Sequence, residues 1–169
     1  MIGTISHTHH DSPLLILSSD KDFVQLHVYK NIKQYSPAVK KFVRHEDPSV
    51  YLKEHILKGD RGDGIPNICS PDGVFVSGGR QKPIRKNIVS SVSHLNIDNI
   101  ESSELMENDE YKRNWMRNRQ LIDLSLIPEE IKKQILDTYE NYVTNDRSKL
   151  FNYFIQNKLS NLMDSISEF

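Results

Sequence analysis

The sequence predicts an α/β fold in which a partial parallel sheet at the N-terminal end is followed by a mostly helical C-terminal region. The first indication is the run 14–17, four aliphatic residues that lead into Ser-Ser-Asp, which is typical of a buried parallel strand. The second is the stretch 65–80, rich in Pro, Gly, Ser and Asn, which predicts an irregular loop. The third is a helical period of apolar side chains at Ile131, Ile135, Leu136, Tyr139 and Val143.

The elements predicted in the first 45 residues are short. Residues 2–10 predict a helix that ends at the turn Asp11-Ser12-Pro13, and residues 14–18 predict the strand. One helical turn is expected over 22–26. Three extended segments complete this part of the chain: 28–29, 32–35 before Ser36-Pro37, and 42–43.

The remainder of the chain is predicted to be helical. Ser49 is the expected N-cap of a helix over 50–58, and Pro83 suits the first turn of a helix over 84–92. A capped connection is expected over 123–128. Four further helices are expected at 103–115, 128–143, 149–157 and 160–167.

Composition and charge exclude several classes of protein. The chain has 169 residues, which is long enough for one domain with a hydrophobic core. Its formal net charge is -1, so any surface that attracts nucleic acid must be local. The single cysteine, Cys69, excludes a disulfide scaffold and fits a reducing, cytoplasmic location. Because the sequence has no run of about 18 apolar residues and no basic-then-apolar start, we expect neither a membrane span nor a signal peptide.

Two pairs of aspartates stand where metal ions often bind. Asp20 and Asp22 follow the predicted strand, and open α/β sheets place ligand sites at the carboxyl ends of their parallel strands. Asp60 and Asp63 lie in a glycine-rich turn. Hard divalent cations such as Mg²⁺ prefer clustered carboxylates. Each pair alone also fits a plainer interpretation, since Ser-Asp-x-Asp is typical of a helix N-cap and Asp-x-x-Asp-Gly of an ordinary turn.

Five segments of the chain, taken in order, resemble one known family. They are 18–27, 31–37, 56–60, 121–123 with Ile127-Pro128, and the C-terminal tail 159–169. Together they resemble the metal-dependent 5′ nucleases, the flap endonuclease family, and within it the ribonuclease H type of T-even phages. The resemblance covers nearly the whole chain.

The resemblance implies that this chain is the C-terminal half of a split 5′ nuclease. Members of the family are roughly twice as long as one domain, which usually has about 150 residues. A parallel strand needs neighbours, and the first 45 residues offer too few strands for a self-sufficient sheet. We therefore expect 1–45 to be the end of the catalytic α/β domain and 46–169 to be the helical C-terminal domain. A fragment of a longer protein and a decayed gene are the alternatives.

The resemblance further implies two-metal hydrolysis of phosphodiesters. Asp20, Asp22, Asp60 and Asp63 match metal ligands of the family and would hold two Mg²⁺ ions, with Mn²⁺ as a substitute. The expected activity is a 5′–3′ exonuclease and flap endonuclease with ribonuclease H activity in DNA replication. Because four carboxylates are not the family's full set, we expect activity only together with the N-terminal half. The alternative is a non-catalytic remnant that binds duplex DNA or a replication partner.

A nucleic-acid surface is also implied by the resemblance. The family carries a helix–hairpin–helix-like element around residues 59–92, where backbone amides and helix N-termini meet the phosphates of a duplex. The expected substrate is DNA or an RNA–DNA duplex with a 5′ end or flap. The residues expected to contact it are Lys58, Arg61, Arg80, Lys82, Arg85 and Lys86. The alternative for the cluster at 80–86 is a solvated helix face.

Two further patterns have a plainer and a functional interpretation. Trp115 stands among basic residues at 112, 113, 117 and 119, which fits stacking on bases or, as we favour, a buried anchor of the helices. An apolar stripe at helical spacing near the C-terminus fits packing on the body or docking of replication proteins. Its members are Leu159, Leu162, Met163, Ile166 and Phe169.

Overall fold

The structure, a computed structural model, describes residues 1–142, 148–164 and 166. The chain divides into two compact units, Met1–Leu136 and Asp137–Phe169. The predicted family boundary near residue 45 stays a prediction. The elements in chain order are α1 (Ile2–Thr8), β1 (Leu14–Leu17), a 3₁₀ helix (Lys21–Val28), β2 (Ile32–Ser36), β3 (Lys41–Val43), α2 (Pro48–Lys58), α3 (Lys86–Ser93), 3₁₀ helices (Ile97–Ser102 and Glu104–Glu107), α4 (Asp109–Ile122), a 3₁₀ helix (Leu124–Leu126), α5 (Glu129–Glu140), α6 (Ser148–Gln156) and α7 (Ser160–Met163).

The sheet is small and mixed. β1 pairs in parallel with β2, so that Leu14 lies opposite Ile32, and β2 pairs antiparallel with β3. The α/β prediction, with a partial parallel sheet before a mostly helical region, is therefore confirmed. The strand predicted at 28–29 is wrong. Val28 still belongs to the 3₁₀ helix, whose last turn is closed by the Tyr29 N–H donating to the Leu26 carbonyl at 3.1 Å.

The two faces of the sheet have opposite environments. Ile16 and Ile32 are buried with Leu26 of the 3₁₀ helix that lies on one face. Side chains alternate across a strand, so Leu15 and Leu17 point to the other face, where they are 57% and 67% exposed. Parallel sheets are normally covered on both faces. In the described residues, this second face of β1 remains uncovered.

The helical part of the first unit has a complete core. Ile56 and Leu57 of α2, Ile68 of the irregular loop and Trp115 of α4 are all fully buried in one cluster. The buried interpretation of Trp115 is thus confirmed. Asn118, also fully buried, donates its amide hydrogens to the carbonyls of Ile56 and Pro66, both at 2.8 Å. It thereby joins the loop to α2 and α4.

Two of the helix starts that differ from the prediction depend on an unrecognised cap. α2 begins two residues before the expected position, because the Asp47 carboxylate accepts the backbone N–H groups of Ser49 and Val50, each at 3.0 Å. The helix predicted at 103–115 is two elements, because Asn108 caps a new helix by accepting the Tyr111 N–H at 3.0 Å. Capping side chains favour a helix start over continuation of the preceding turn.

The connection between α2 and α3 is irregular, as predicted for 65–80. The structure describes every residue of it and shows turns with one isolated β-bridge, between Asp60 and Ile65. α3 begins at Lys86, two residues later than predicted. This connection is longer than a tight hairpin. Its resemblance to a helix–hairpin–helix element stays a prediction.

The C-terminal helices begin close to their predicted positions, as α5, α6 and α7, but α5 ends at Glu140 and α7 at Met163, before the predicted ends at 143 and 167. Part of the predicted pattern, namely Val143 and residues 165 and 167–169, lies outside the described residues. None of the helices in the described ranges combines the length and the apolar character needed to cross a membrane.

Candidate metal centre and nucleic-acid interface

Three side chains from distant parts of the sequence meet beside the end of β1. Asp22, His55 and Asp60 each offer a ligand atom, and these atoms lie within 4.8 Å of one another. His55 Nδ1 is 3.6 Å from Asp22 Oδ1, and His55 Nε2 is 3.2 Å from Asp60 Oδ2. Within the described part of the chain, this is the one group of three or more such side chains at metal-binding spacing.

The Asp22 side of the cluster begins where β1 ends. Asp20 is the N-cap of the 3₁₀ helix, and its Oδ1 accepts the Asp22 N–H at 3.0 Å. The plainer interpretation of Ser-Asp-x-Asp therefore holds for Asp20. The same turn directs Asp22 toward α2, where it meets His55.

Two buried glutamines hold this turn in place. Gln34 of β2 donates its amide hydrogens to the carbonyls of Ser18 at 2.9 Å and Asp20 at 2.7 Å. Gln25 donates to the carbonyls of Asp22 at 2.9 Å and Ile122 at 3.0 Å, so it ties the turn to the end of α4. Sequence reasoning missed both, because glutamine within an element carries no motif of its own.

The Asp60 side of the cluster depends on a glycine. Gly59 has φ +66, and a Cβ on it would lie 2.3 Å from the Ile65 carbonyl oxygen. A side chain there would be both strained and in collision. The turn that follows aims Asp60 at α2, while its Oδ1 accepts the Gly62 N–H at 2.7 Å and the Asp63 N–H at 3.3 Å. The plainer interpretation as an Asp turn also holds here.

The two clustered carboxyls differ in acidity. Burial raises the pKa of Asp22, and the negative charge of Asp20 raises it further. Burial also acts to raise the pKa of Asp60, but the hydrogen bonds from the Gly62 N–H and from His55 outweigh it, so this pKa is lowered. Protons therefore compete with a cation more strongly at Asp22 than at Asp60.

The four predicted aspartates are thus divided. Asp22 and Asp60 are brought together, with His55 between them, whereas Asp20 and Asp63 lie beside the cluster and raise the pKa of Asp22 through their charge. His55 was not predicted. The available signal was its position on α2, five residues before Asp60, which places it at the end of a helix that leads into the acidic turn.

The residues of the cluster fit a divalent cation. His55 Nδ1 is a buried nitrogen with no hydrogen-bond partner among the described residues, and it faces the Asp22 carboxylate oxygen across 3.6 Å. A buried polar atom without a partner is costly unless a ligand satisfies it. Oxygen and imidazole ligands together bind divalent metals.

The two basic clusters of the sequence behave differently. Arg80, Lys82, Arg85 and Lys86 are all exposed, and among the described residues no carboxylate is paired with any of them. Of the other expected contacts, Arg61 is exposed and Lys58 forms an ion pair with Glu54.

Three of the four basic residues around Trp115 form ion pairs within the chain. Arg113 and Arg117 both form ion pairs with Asp72, and Arg119 pairs with Asp98 at 2.7 Å and Glu101 at 2.9 Å. Because Trp115 is fully buried, stacking on bases is excluded for this cluster in the folded chain.

Comparison with known proteins gives two findings. The family described as T4 RNase H, C terminal, matches residues 47–169. Over 161 residues the chain is 37% identical to Ribonuclease H of Enterobacteria phage T4, a match that covers 92% of this chain and 52% of that protein. The chain therefore spans about half the length of the curated relative that it matches.

Proposed function

Because the chain belongs to the T4 RNase H C-terminal family, we propose that it is the C-terminal half of a 5′ nuclease that hydrolyses phosphodiesters in DNA or RNA–DNA duplexes. The observation that carries this proposal is the meeting of Asp22 and Asp60, from two distant segments, at the carboxyl end of a parallel strand. Ligand sites of α/β sheets lie at such ends.

The proposed metal ligands are Asp20, Asp22, Asp60 and Asp63, for two Mg²⁺ ions or Mn²⁺ in their place. When bound, such ions activate water and stabilise the leaving oxygen. The chain's own contribution is to hold the carboxylates. Gln34 and Gln25 fix the turn that carries Asp22, and Gly59, with its positive φ, permits the turn that carries Asp60.

The proposed nucleic-acid surface is the exposed segment 80–86, together with Arg61 and Lys58. Phosphate contacts favour basic side chains that are exposed and not already neutralised, and within the described ranges Arg80, Lys82, Arg85 and Lys86 meet both conditions. Lys58 would have to exchange Glu54 for a phosphate. We expect a duplex with a 5′ end or flap to be the substrate.

The proposed partner is the family's N-terminal half, in the same or a separate polypeptide. In the described sheet β1 is an edge strand that pairs with β2 alone, and its second face is apolar and uncovered. A further parallel strand beside β1 and a helix over Leu15 and Leu17 would complete an ordinary α/β sheet. That addition would lie next to Asp20 and Asp22 and would bring the remaining acidic ligands. This activity implies a cytoplasmic location.

The test is a cleavage assay on 5′-labelled flap and nicked RNA–DNA substrates with Mg²⁺. It compares the chain alone, the chain mixed with the polypeptide encoded immediately upstream, and the mixture carrying Asp22→Asn. Asp11→Asn, an exposed aspartate of the turn before β1, is the matched control. Activity in the native and Asp11→Asn mixtures but not with Asp22→Asn is the expected result. Equal activity with Asp22→Asn contradicts the assignment of the site.

A second candidate function is a non-catalytic remnant that binds duplex DNA or a replication protein. The complete helical core favours it, since that core holds the exposed basic segment without help from the sheet. Duplex binding with no cleavage in any mixture is the outcome that this alternative predicts. Docking of replication proteins on the C-terminal stripe belongs to the same alternative.

A further inference from the structure

We propose that His55 is a metal ligand of this chain, and that its Nδ1 and the Asp22 carboxylate together hold one divalent transition-metal ion. Asp60 would not bind this ion itself, but would fix the imidazole by accepting a hydrogen bond from its other nitrogen. The inference deepens the proposed function, because it concerns the metal that the same carboxylates take. It adds a nitrogen ligand to a site that was expected to offer oxygen ligands alone.

The hydrogen bond to Asp60 decides which imidazole nitrogen is free. His55 Nε2 lies 3.2 Å from Asp60 Oδ2. A carboxylate can only accept, so Nε2 carries the hydrogen and donates it. The lone pair of the neutral ring is then on Nδ1. A carboxylate that accepts from one ring nitrogen while the other binds a metal is the usual arrangement around metal-bound histidine.

The free nitrogen faces a second acceptor. In the part of the chain that the structure describes, His55 Nδ1 is buried without a hydrogen-bond partner and is 3.6 Å from Asp22 Oδ1. Two lone pairs at this distance repel each other unless a positive centre lies between them. Ligand atoms that are each about 2.1 Å from one ion and 90–109° apart are separated by about 3.0–3.4 Å. The observed separation is therefore a few tenths of an ångström from that of two neighbouring ligands.

The imidazole is held rigidly, as a ligand should be. His55 precedes Ile56 and Leu57, which anchor α2 in the helical core with no exposure. Its own side chain is 11% exposed. The Tyr51 ring lies one turn earlier on α2 and meets the imidazole edge-on, with 5.7 Å between the ring centroids. Little ordering entropy then remains to be lost when an ion binds.

A nitrogen ligand changes which metal is preferred. Mg²⁺ favours oxygen ligands, whereas divalent transition metals bind imidazole more strongly. We therefore expect the chain to bind Mn²⁺ more tightly than Mg²⁺, and the preference to depend on His55.

The test uses Mn²⁺ as the probe of the full chain, with pulsed electron paramagnetic resonance to detect coupling between the ion and a nitrogen nucleus. Coupling to ¹⁴N, replaced by the ¹⁵N frequency when the histidines are ¹⁵N-labelled, is the expected result. His55→Gln should abolish the coupling and weaken Mn²⁺ binding by at least about 10-fold by calorimetry, since loss of even an outer-shell partner costs that much. Mg²⁺ binding should weaken less.

Two variants keep the result interpretable. His45→Gln changes an exposed histidine whose ring also packs on Tyr51, and it should leave the coupling and both affinities unchanged. Asp22→Asn keeps the imidazole, so it should weaken Mn²⁺ binding while the remaining complex retains the nitrogen coupling. A circular dichroism spectrum like that of the native chain shows that each variant is folded.

Three outcomes would overturn the inference. They are Mn²⁺ bound without nitrogen coupling, coupling that survives His55→Gln, and no Mn²⁺ binding at millimolar concentration. In the last case an imidazolium bridging the two carboxylates is the better account. None of these depends on cleavage. A chain that shows the coupling but never cleaves, in any mixture, contradicts the proposed function and leaves the His55 assignment standing.

Discussion

The two sides of the candidate metal centre are built on regions of different completeness. His55 and Asp60 belong to the helical region, whose core around Trp115 is closed and in which Asn114 and Asn118 donate hydrogen bonds to backbone carbonyls of the loop and of α2. Asp22 follows β1 of a three-stranded sheet, one apolar face of which is uncovered in the described residues. The chain therefore holds His55 and Asp60 on a fully packed helical scaffold, and it holds Asp22 on a sheet that is packed on one face only. Folding stability should therefore reside mainly in the helical region.

The largest effect is expected from the helical core. Trp115→Ala should lower the free energy of unfolding by about 3–5 kcal/mol, because it removes the largest fully buried side chain of the chain's described part. Urea denaturation followed by circular dichroism measures it. Met116→Ala, an exposed neighbour on the same helix, is the control and should change little. A small effect of Trp115→Ala would mean that the helical region is not the more stable one.

A smaller effect is expected where the sheet supports the metal centre. Gln34→Leu leaves the carbonyls of Ser18 and Asp20 without their donor and should cost about 1–3 kcal/mol. It should also weaken Mn²⁺ binding, because the turn before Asp22 loses its support. Denaturation and calorimetry measure the two effects. Lys33→Leu, at the neighbouring exposed position of β2, controls for the change of residue type. Unchanged metal affinity would show that Gln34 does not position the site.

The two clustered aspartates should respond to pH with opposite sign in the metal-free chain. The pKa of Asp22 is raised on folding, so its contribution to stability is fully present below about 3.8 and is lost as pH rises through the folded pKa. The pKa of Asp60 is lowered, so its contribution is present above 3.8 and is lost as pH falls through the folded pKa.

Near pH 7 and with a chelator present, Asp22→Asn should therefore raise the melting temperature and Asp60→Asn should lower it. Both differences should shrink toward pH 4. Thermal unfolding over this pH range measures them. A loss of stability from Asp22→Asn at neutral pH would contradict the burial and charge repulsion assigned to that carboxyl.

The two basic clusters should separate binding from stability. Replacing Arg80 or Lys82 by Ala should weaken duplex binding and reduce the slope of log K against log salt by about 0.9 for each phosphate that the variant no longer neutralises. Neither change should affect unfolding. Arg113→Ala removes an ion pair with Asp72 and should leave the salt slope unchanged. Fluorescence anisotropy across a salt series measures the slope. An equal change with Arg113→Ala would mean that the duplex binds the basic cluster around Trp115.

The smallest effect on the isolated chain is expected at the uncovered face. Leu17→Ser replaces an exposed side chain and should alter the free energy of unfolding by no more than about 0.5 kcal/mol. The same change should weaken association with the N-terminal half, measured by analytical ultracentrifugation of the mixture. Val76→Ser, which is exposed in the irregular loop, is the control for an apolar side chain elsewhere. Association that is insensitive to Leu17 would place the partner on another surface.

Prediction from the sequence succeeded where a local pattern determines the structure. The aliphatic run of β1, the helical period of α5 and the glycine-rich turn at 59–64 each depend on neighbours within a few residues. It failed where two local signals competed. Asp47 displaced Ser49 as the cap of α2, and Asn108 divided one predicted helix into two.

The order of the elements and the acidic residues after β1 and after α2 could be predicted from local sequence patterns. Which of these acidic residues meet depends on how the elements pack. His55 and Asp22 lie on separate elements and are joined only by folding, and the glutamines that support the turn bond to backbone carbonyls, which carry no sequence signal. The reason is physical: strand and helix periods arise from contacts along the backbone, whereas a ligand set arises from the packing of separate elements.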